Sequence, residues 1–308
     1  MNSKAVAFLV LVPSGILKNL NNRYGHTFGT FNVNFINTPS PKSVSVPGGK
    51  KMRNIQVENK NNVLTIILNR PERHNALNFE TLLELQSLLV TLPRRFPDTR
   101  CVILTGHGDK AFSAGADLKE LSTMSPKQGE ELSFLAQEVT LLLEALPVPI
   151  IASVNGVAMG GGLELALACD FIYTCNQAQL ALPEVSLGLI PGFGGCVRLG
   201  RRVGMAKAKE LIFTGNSLTG EEAQIIGLSN KNFENSTLLK QGVLQTALAI
   251  SSRGPKAVAT AKYSIEKGAQ TALRAGLEME RKNYRRVLEN SESTEGMAAF
   301  LEKRAPSF

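Results

Sequence analysis

One carboxylate, Glu164, stands in a stretch whose other residues are small or apolar. A β-branched run from residue 150 leads to Asn155-Gly156, then to three glycines at 160–162, and then to an Ala- and Leu-rich pattern. This order predicts a strand, a glycine turn and a helix that begins just before Glu164. Glycines let a ligand approach the backbone, and a helix N-terminus offers unpaired N–H groups to developing negative charge. We therefore predict that Glu164 is catalytic and that Gly161 supplies half of an oxyanion hole. By themselves, the glycines more often indicate tight packing in turns.

The residues that usually build other active centres are sparse. The only histidines are His26, His74 and His107, each isolated, which argues against a metal centre and against a Ser-His-Asp triad. The four cysteines show no C-x-x-C spacing, so a disulfide framework or a zinc site is not expected. Reduced, buried thiols in an intracellular compartment are the simpler interpretation. Proton chemistry is therefore left to carboxylates.

The net charge of +8 is concentrated in the first 53 residues, which hold seven basic residues and no acidic one. The remainder is nearly neutral, which argues against a nucleic-acid-binding surface. Residues 1–52 therefore form a distinct leader, which we expect to be poorly ordered. An acid-free leader is typical of a mitochondrial presequence, whereas a start near Met52 would leave the protein in the cytoplasm. No run approaches the ~20 apolar residues of a membrane span, so a soluble intracellular protein is expected.

The elements that position Glu164 follow from residue 54 onward. Two strands, at 55–59 and 63–69, read as a hairpin, and a polar loop then caps a helix around 79–92. A strand at 101–105 and a long helix at 127–145 follow. Strands alternate with helices up to about residue 195, and the rest reads as almost wholly helical. This alternation predicts an α/β core with a helical appendage.

Three ordered segments carry a resemblance to a known family. They are 112–120 (FSAGADLKE), 154–170 (VNGVAMGGGLELALACD) and 183–192 (PEVSLGLIPG). Together they resemble the enoyl-CoA hydratase/isomerase (crotonase) superfamily, and the similarity is nearest to enoyl-CoA hydratase. Looser similarity extends over 54–308.

The resemblance implies a crotonase-like spiral of ββα units, with the core and catalytic site in 53–250. It implies that 251–308 is a C-terminal helical region that forms a homotrimer or a dimer of trimers. The implied substrate is an acyl-CoA thioester, with no cofactor and no metal. No membrane or nucleic-acid partner is expected.

The resemblance also assigns roles to residues. The backbone N–H groups of Ala116 and Gly161 match the oxyanion hole that holds the thioester carbonyl. Glu164 matches the glutamate that holds and activates water, and Glu184 matches the proton donor to Cα. Hydration needs one group to take a proton and another to deliver one, which two glutamates can do. From its position after Pro183 alone, Glu184 would more often be a helix-start residue at a cap.

Binding of the coenzyme A portion is assigned in the same way, to these residues: Arg73, Ala114, Ala116, Asp117, Leu118, Lys119 and Gly161. A guanidinium such as that of Arg73 can pair bidentately with phosphate, although an exposed loop arginine needs no such role. Asp117 could instead cap the helix that follows it. The chain departs from the hydratase pattern at Cys196 and Val197, where Thr and Gln are usual, which bears on substrate choice.

These observations predict a hydro-lyase that adds water syn to a 2-enoyl-CoA and yields 3-hydroxyacyl-CoA. The pathway would be fatty-acid β-oxidation or branched-chain amino-acid degradation. One alternative is a 3-methylglutaconyl-CoA hydratase, whose acyl tail would require a cation near the pocket. An alternative of another class is an RNA-binding or non-catalytic protein on the crotonase fold. The positive charge of the leader is the only sequence feature that supports it.

Overall fold

The computed structural model describes residues 45–46 and 50–308, so the predicted leader lies almost wholly outside the described residues. Its strands are β1 Ser45–Val46, β2 Lys50–Lys51, β3 Ile55–Lys60, β4 Val63–Leu68, β5 Cys101–Gly106, β6 Ala111–Ser113, β7 Ile150–Val154, β8 Val157–Met159, β9 Phe171–Cys175, β10 Gln179–Ala181, β11 Leu218–Thr219 and β12 Lys231–Phe233. Its helices are α1 Phe79–Arg95, α2 Leu118–Leu121, α3 Pro126–Ala145, α4 Gly161–Leu167, α5 Gly195–Val203, α6 Met205–Thr214, α7 Gly220–Ile225, α8 Ser236–Ser251, α9 Pro255–Gly268, α10 Leu273–Leu288 and α11 Ser291–Leu301, with 3₁₀ turns at Pro71–Arg73 and Glu184–Leu187.

Successive strands of the chain are added alternately to two sheets. The six-stranded sheet has the order β12-β9-β7-β5-β4-β3, and the four-stranded sheet has the order β11-β10-β8-β6. Strands β5, β7 and β9 enter the larger sheet in parallel, and each is followed by a strand of the smaller sheet, β6, β8 or β10. Each turn of the chain thus adds one strand to both sheets, which is a spiral. The predicted crotonase-like α/β class is confirmed.

The strand sequences suit this burial. All five residues of β7, IIASV, are buried, because a central parallel strand is covered on both faces and favours a continuous apolar run. Helix α8 packs against β5, β7 and β9 and buries Leu239, Val243 and Ala247. Helix α1 begins at the predicted place, where the Asn78 side chain accepts a hydrogen bond from the Thr81 amide.

The part after residue 195 is less uniform than predicted. The short strands β11 and β12 lie between its helices and pair with β10 and β9. They were missed because two or three residues carry too little alternation to be distinguished from a loop. The sheet neighbours, rather than local sequence, supply their hydrogen bonds.

An ion pair between a buried lysine and a half-buried aspartate joins the C-terminal helices to the core. Lys262 of α9 is 9% exposed, and its Nζ lies 2.9 Å from Asp170 Oδ2. The same carboxylate oxygen accepts the backbone N–H of Ile150, at the start of β7, at 2.7 Å. A buried charge is tolerated when it is paired in this way. Whether 251–308 is a unit distinct from 53–250 stays a prediction.

Candidate active site

A sharp turn joins β8 to α4 and carries the central glycines. Gly160 has φ +50°, a conformation that favours glycine, and a Cβ there would lie 2.8 Å from Glu184 Oε1. Gly160 therefore allows the Glu184 carboxylate to lie directly against the turn.

The segment after β6 approaches this turn and the start of α4 closely because Gly115 and Gly162 have no side chains. A Cβ on Gly115, which has φ +89°, would lie 2.6 Å from the Met159 carbonyl oxygen and 3.2 Å from the Gly161 amide nitrogen. A Cβ on Gly162 would lie 2.2 Å from the Ser113 carbonyl oxygen. The glycines thus serve tight packing, and the same packing brings the Ala116 segment beside the start of α4.

The amides of Ala116 and Gly161 are available to a ligand. Ala116 forms an isolated parallel bridge with Leu77, in which Leu77 bonds to Gly115 and Asp117. The Ala116 N–H therefore takes no part in that bridge. Gly161 is the first residue of α4, and the N–H at that position has no partner within a helix. Among the described residues, neither amide donates a hydrogen bond.

Glu164 is held by backbone on one side only. It is 1% exposed, and its Oε1 accepts the amides of Phe193 at 2.8 Å and Gly195 at 2.7 Å. No hydrogen bond from the described residues reaches its Oε2, which leaves that oxygen for a ligand or water. The pKa of Glu164 is raised to about 7, mainly by burial and in part by the charge of Glu184, against the lowering effect of the two amides.

Glu184 is the first residue of the 3₁₀ turn Glu184–Leu187. Its Oε2 is buried and has no hydrogen-bond partner among the described residues, and burial raises the pKa of this carboxyl. A buried oxygen without a partner is costly unless a ligand or water satisfies it. Glu184 does begin a short helical turn after Pro183, as the simpler interpretation of its position predicted, and it also lines the cavity.

Both glutamates and both amides line one cavity of about 570 Å³. Its remaining walls are largely apolar and come from α2, α3 and the segment 187–193. Among the described lining residues the two glutamates are the only charged ones. Four predicted site residues, Ala116, Gly161, Glu164 and Glu184, are therefore brought together.

The predicted coenzyme A residues divide into two groups. Ala114 and Leu118 line the cavity, whereas Arg73 and Lys119 are exposed and do not contact it. Asp117 precedes α2 but pairs with Arg70 Nη2 at 2.9 Å. Partial burial acts to raise the pKa of Asp117, but the hydrogen bond and charge of Arg70, together with the backbone N–H groups of Glu120 and Lys119, outweigh it and lower the pKa.

Sequence reasoning missed several residues that shape the site. Arg70 also donates to the Ala76 carbonyl at 2.7 Å, so it fastens the 70–77 loop to the Ala116 segment. The amides that hold Glu164 belong to the glycine-rich run 192–195, whose composition was the available signal. Cys196 and Val197 are exposed just beyond that run, and neither lines the cavity.

The described residues contain no group of three or more His, Cys, Asp and Glu side chains that could hold a metal ion. None of the helices found in residues 50–308 is both long and apolar enough to cross a membrane.

Known proteins match both the chain and the fold. The enoyl-CoA hydratase/isomerase family matches residues 58–308. A crotonyl-CoA hydratase of Syntrophomonas wolfei is 40% identical over 255 residues, which are 83% of this chain and 97% of that protein. A short-chain-enoyl-CoA hydratase of Clostridium acetobutylicum is 39% identical over 254 residues, which are 82% of this chain and 97% of that protein.

The crystal structure of an enoyl-CoA hydratase from Bacillus anthracis is 42% identical, with a TM-score of 0.81, and the alignment covers 83% of this chain and 99% of that one. The chain belongs to the enoyl-CoA hydratase/isomerase family, as its three motifs predicted.

Proposed function

We propose that the protein is an enoyl-CoA hydratase, a hydro-lyase that adds water across the Cα=Cβ bond of a 2-enoyl-CoA thioester. The observation that carries the proposal is the placement of Glu164 and Glu184 on one cavity with the free amides of Ala116 and Gly161. The family and the relatives named enoyl-CoA hydratase support it.

The two amides act on the thioester oxygen. When the oxygen of water bonds to Cβ, electrons move through the conjugated system and negative charge develops on that carbonyl oxygen. Backbone N–H groups held in place before the reaction stabilise the charge, and losing one such donor typically costs about 10²–10³ in rate. Ala116 and Gly161 supply these groups without a side chain that could obstruct the substrate.

The two carboxyl groups handle the protons of one water. Oε2 of Glu164 takes a proton from the water as its oxygen attacks Cβ, and Glu184 delivers a proton to Cα, so that OH and H are added in balance. Burial raises the pKa of both carboxyl groups, and the charge of Glu184 acts to raise that of Glu164 as well, so the pair resists being ionised at both members together. Because the pair is coupled, the two roles can be shared between them.

The acyl group is uncharged in this proposal. A carboxylate at the end of the acyl tail would need a cation, and no Lys, Arg or His is found among the described residues that line the cavity. This disfavours 3-methylglutaconyl-CoA. The walls at Leu121, Met124 and Leu132 suit a short hydrocarbon chain, and the relatives named for crotonyl and short-chain substrates support this choice.

Coenzyme A is part of the substrate, and no cofactor is required by this chemistry. We assign its contacts to Ala114, Asp117, Leu118 and Lys119, with Arg73 as an exposed phosphate contact. A homotrimer or a dimer of trimers is supported by apolar side chains left exposed on α10 and α11, including Leu273, Leu277, Phe300 and Leu301. Nucleic acid is not a partner in this proposal.

In this proposal, residues 1–52 determine the compartment in which the protein resides. If residues 1–52 act as a presequence the protein resides in the mitochondrial matrix, and otherwise in the cytoplasm. A fluorescent protein fused behind residues 1–52 distinguishes the two sites by its location in the cell.

The function is tested with crotonyl-CoA. Purified wild-type protein should abolish the absorbance of the conjugated enoyl thioester, whereas 3-methylglutaconyl-CoA should turn over far more slowly. Glu184→Gln should lower kcat by about 10²–10⁴, the usual share of a general acid or base. Glu58→Gln, which changes an exposed carboxylate of strand β3, serves as the matched control. A wild-type protein that leaves crotonyl-CoA unchanged, or a fully active Glu184→Gln, would overturn the proposal.

A further inference from the structure

The peptide groups that hold Glu164 lie where an irregular, glycine-rich segment joins α5, whose first residue is Gly195. Phe193 and Gly195 both donate to Glu164 Oε1, and they flank Gly194, which has φ +112°. A run of glycines has many accessible conformations, so it does not hold two amides on one oxygen by itself. Contacts from elsewhere must fix it.

Arg198, on the first turn of α5, lies over this segment. Its Nη1 donates to the Phe193 carbonyl oxygen at 3.2 Å, in the peptide next to the amide that donates to Glu164. A Cβ on Gly194 would lie 2.0 Å from the same nitrogen, so the guanidinium occupies the space that a side chain would take. Arg198 thus determines the path of 193–195 directly.

The guanidinium is itself fixed by Glu144 near the end of α3. Nε lies 2.7 Å from Glu144 Oε1, and Nη2 lies 3.0 Å from Oε2, which is a bidentate pair. Such a pair defines the plane of the guanidinium as well as its position. A carboxylate in the last turn of a helix is unfavourable for that helix, because the carbonyl end carries partial negative charge. The pair with Arg198, and not the stability of α3, therefore explains why a glutamate stands at position 144.

The same helix supports the segment at a second place. Ser133 Oγ and Gln137 Nε2 both donate to the Gly192 carbonyl oxygen, at 2.6 and 2.9 Å. The 192–195 run is thus held at two peptide groups, each by residues of α3 or by a side chain anchored to it.

We propose that Arg198, fixed by Glu144, is a positioning residue that sets the Phe193–Gly195 peptides on Glu164 Oε1 and thereby directs Oε2 at the reacting water. This inference rests on the proposed hydratase function. Arg198 does not line the cavity among the described residues, so it acts through the backbone and not on the substrate. Its charge also lowers the pKa of Glu164, against the effect of burial.

Three variants test the role. Arg198→Met removes the charge and all donors at similar length, Arg198→Lys keeps the charge without the bidentate geometry, and Glu144→Gln leaves the guanidinium with a weaker anchor. Misplacing a catalytic group by about 1 Å can cost about 10²-fold. We therefore expect kcat for crotonyl-CoA to fall about 10- to 100-fold in Arg198→Met with little change in KM. Glu144→Gln should show a smaller loss of the same kind.

The pH profile separates positioning from simple structural support. Without the cation, the pKa of Glu164 rises, so the acid limb of kcat/KM moves to higher pH in Arg198→Met. Arg198→Lys should restore the acid limb but not kcat. The control is Glu295→Gln, which removes the carboxylate of another bidentate pair, with Arg304, and should leave both unchanged.

Wild-type kcat and acid limb in a folded Arg198→Met would overturn the inference. If Arg198→Met does not fold, Arg198→Lys and Glu144→Gln are compared with the wild type instead. A wild-type kcat in both of these variants would also overturn the inference. A wild-type protein and a Glu295→Gln control that both fail to hydrate crotonyl-CoA would instead contradict the proposed function.

Discussion

Replacing Glu164 by Gln separates the proton chemistry of this residue from its packing. The two amides of Phe193 and Gly195 donate to Oε1, so the glutamine must direct its oxygen toward them and its NH₂ group toward the cavity. An NH₂ group at that position cannot take a proton from water. We expect kcat to fall by about 10²–10⁴ in Glu164→Gln while the fold is retained. Hydration of crotonyl-CoA, followed by the loss of enoyl absorbance, measures this.

The same substitution also changes how stability depends on pH. Burial raises the pKa of Glu164 from its ordinary value of 4.5 to about 7 in the folded protein. Between these values the folded state binds more protons than the unfolded state, so the free energy of unfolding falls as pH rises. At about 1.4 kcal/mol for each pH unit, the loss reaches about 3 kcal/mol above pH 7. The glutamine of the variant does not titrate, so the variant does not show this loss of stability.

Denaturant unfolding of the wild type and Glu164→Gln between pH 5 and pH 8 provides the assay. The variant should gain stability relative to the wild type as pH rises, by about 2.5 kcal/mol between pH 5 and pH 8. Glu58→Gln, which removes an exposed carboxylate, controls for the general effect of lost charge. Parallel stability profiles for wild type and Glu164→Gln would refute the argument that burial governs this carboxyl.

Three further outcomes are expected. Gly160→Ala should lose most activity because its Cβ would displace Glu184, whereas Gly227→Ala, at φ +76° with no atom within 4 Å, should share the backbone strain but stay active in the crotonyl-CoA assay. Gly129 lines the cavity with open space at its Cβ position, so Gly129→Leu should reduce turnover of long-chain more than of short-chain enoyl-CoA, and equal losses would contradict this. Residues 52–308 should not retain RNA at physiological salt in a filter-binding assay, because the excess charge precedes them.

The sequence alone determined which residues could do the chemistry. The order of strand, glycines and helix around Glu164 is local, and so is the Pro-Glu pair at Glu184, because each depends on neighbours within a few residues. The alternation of elements likewise predicted the α/β class. The catalytic roles predicted for Glu184 and Ala116 came from the order of the three family motifs, since the local pattern at Glu184 alone favoured a helix start.

The tertiary structure decided what holds those groups in place. The bonds from Phe193 and Gly195 to Glu164 span 29 and 31 residues, and that from Arg70 to Asp117 spans 47. No local spacing reports a contact between segments that meet only after the chain has folded. The same reason explains the pKa of Glu164, since burial and the nearby Glu184 are products of packing. Only the fold also showed the role of each glycine. Some allow a turn, some allow two backbones to approach closely, and Gly129 leaves space at the cavity wall.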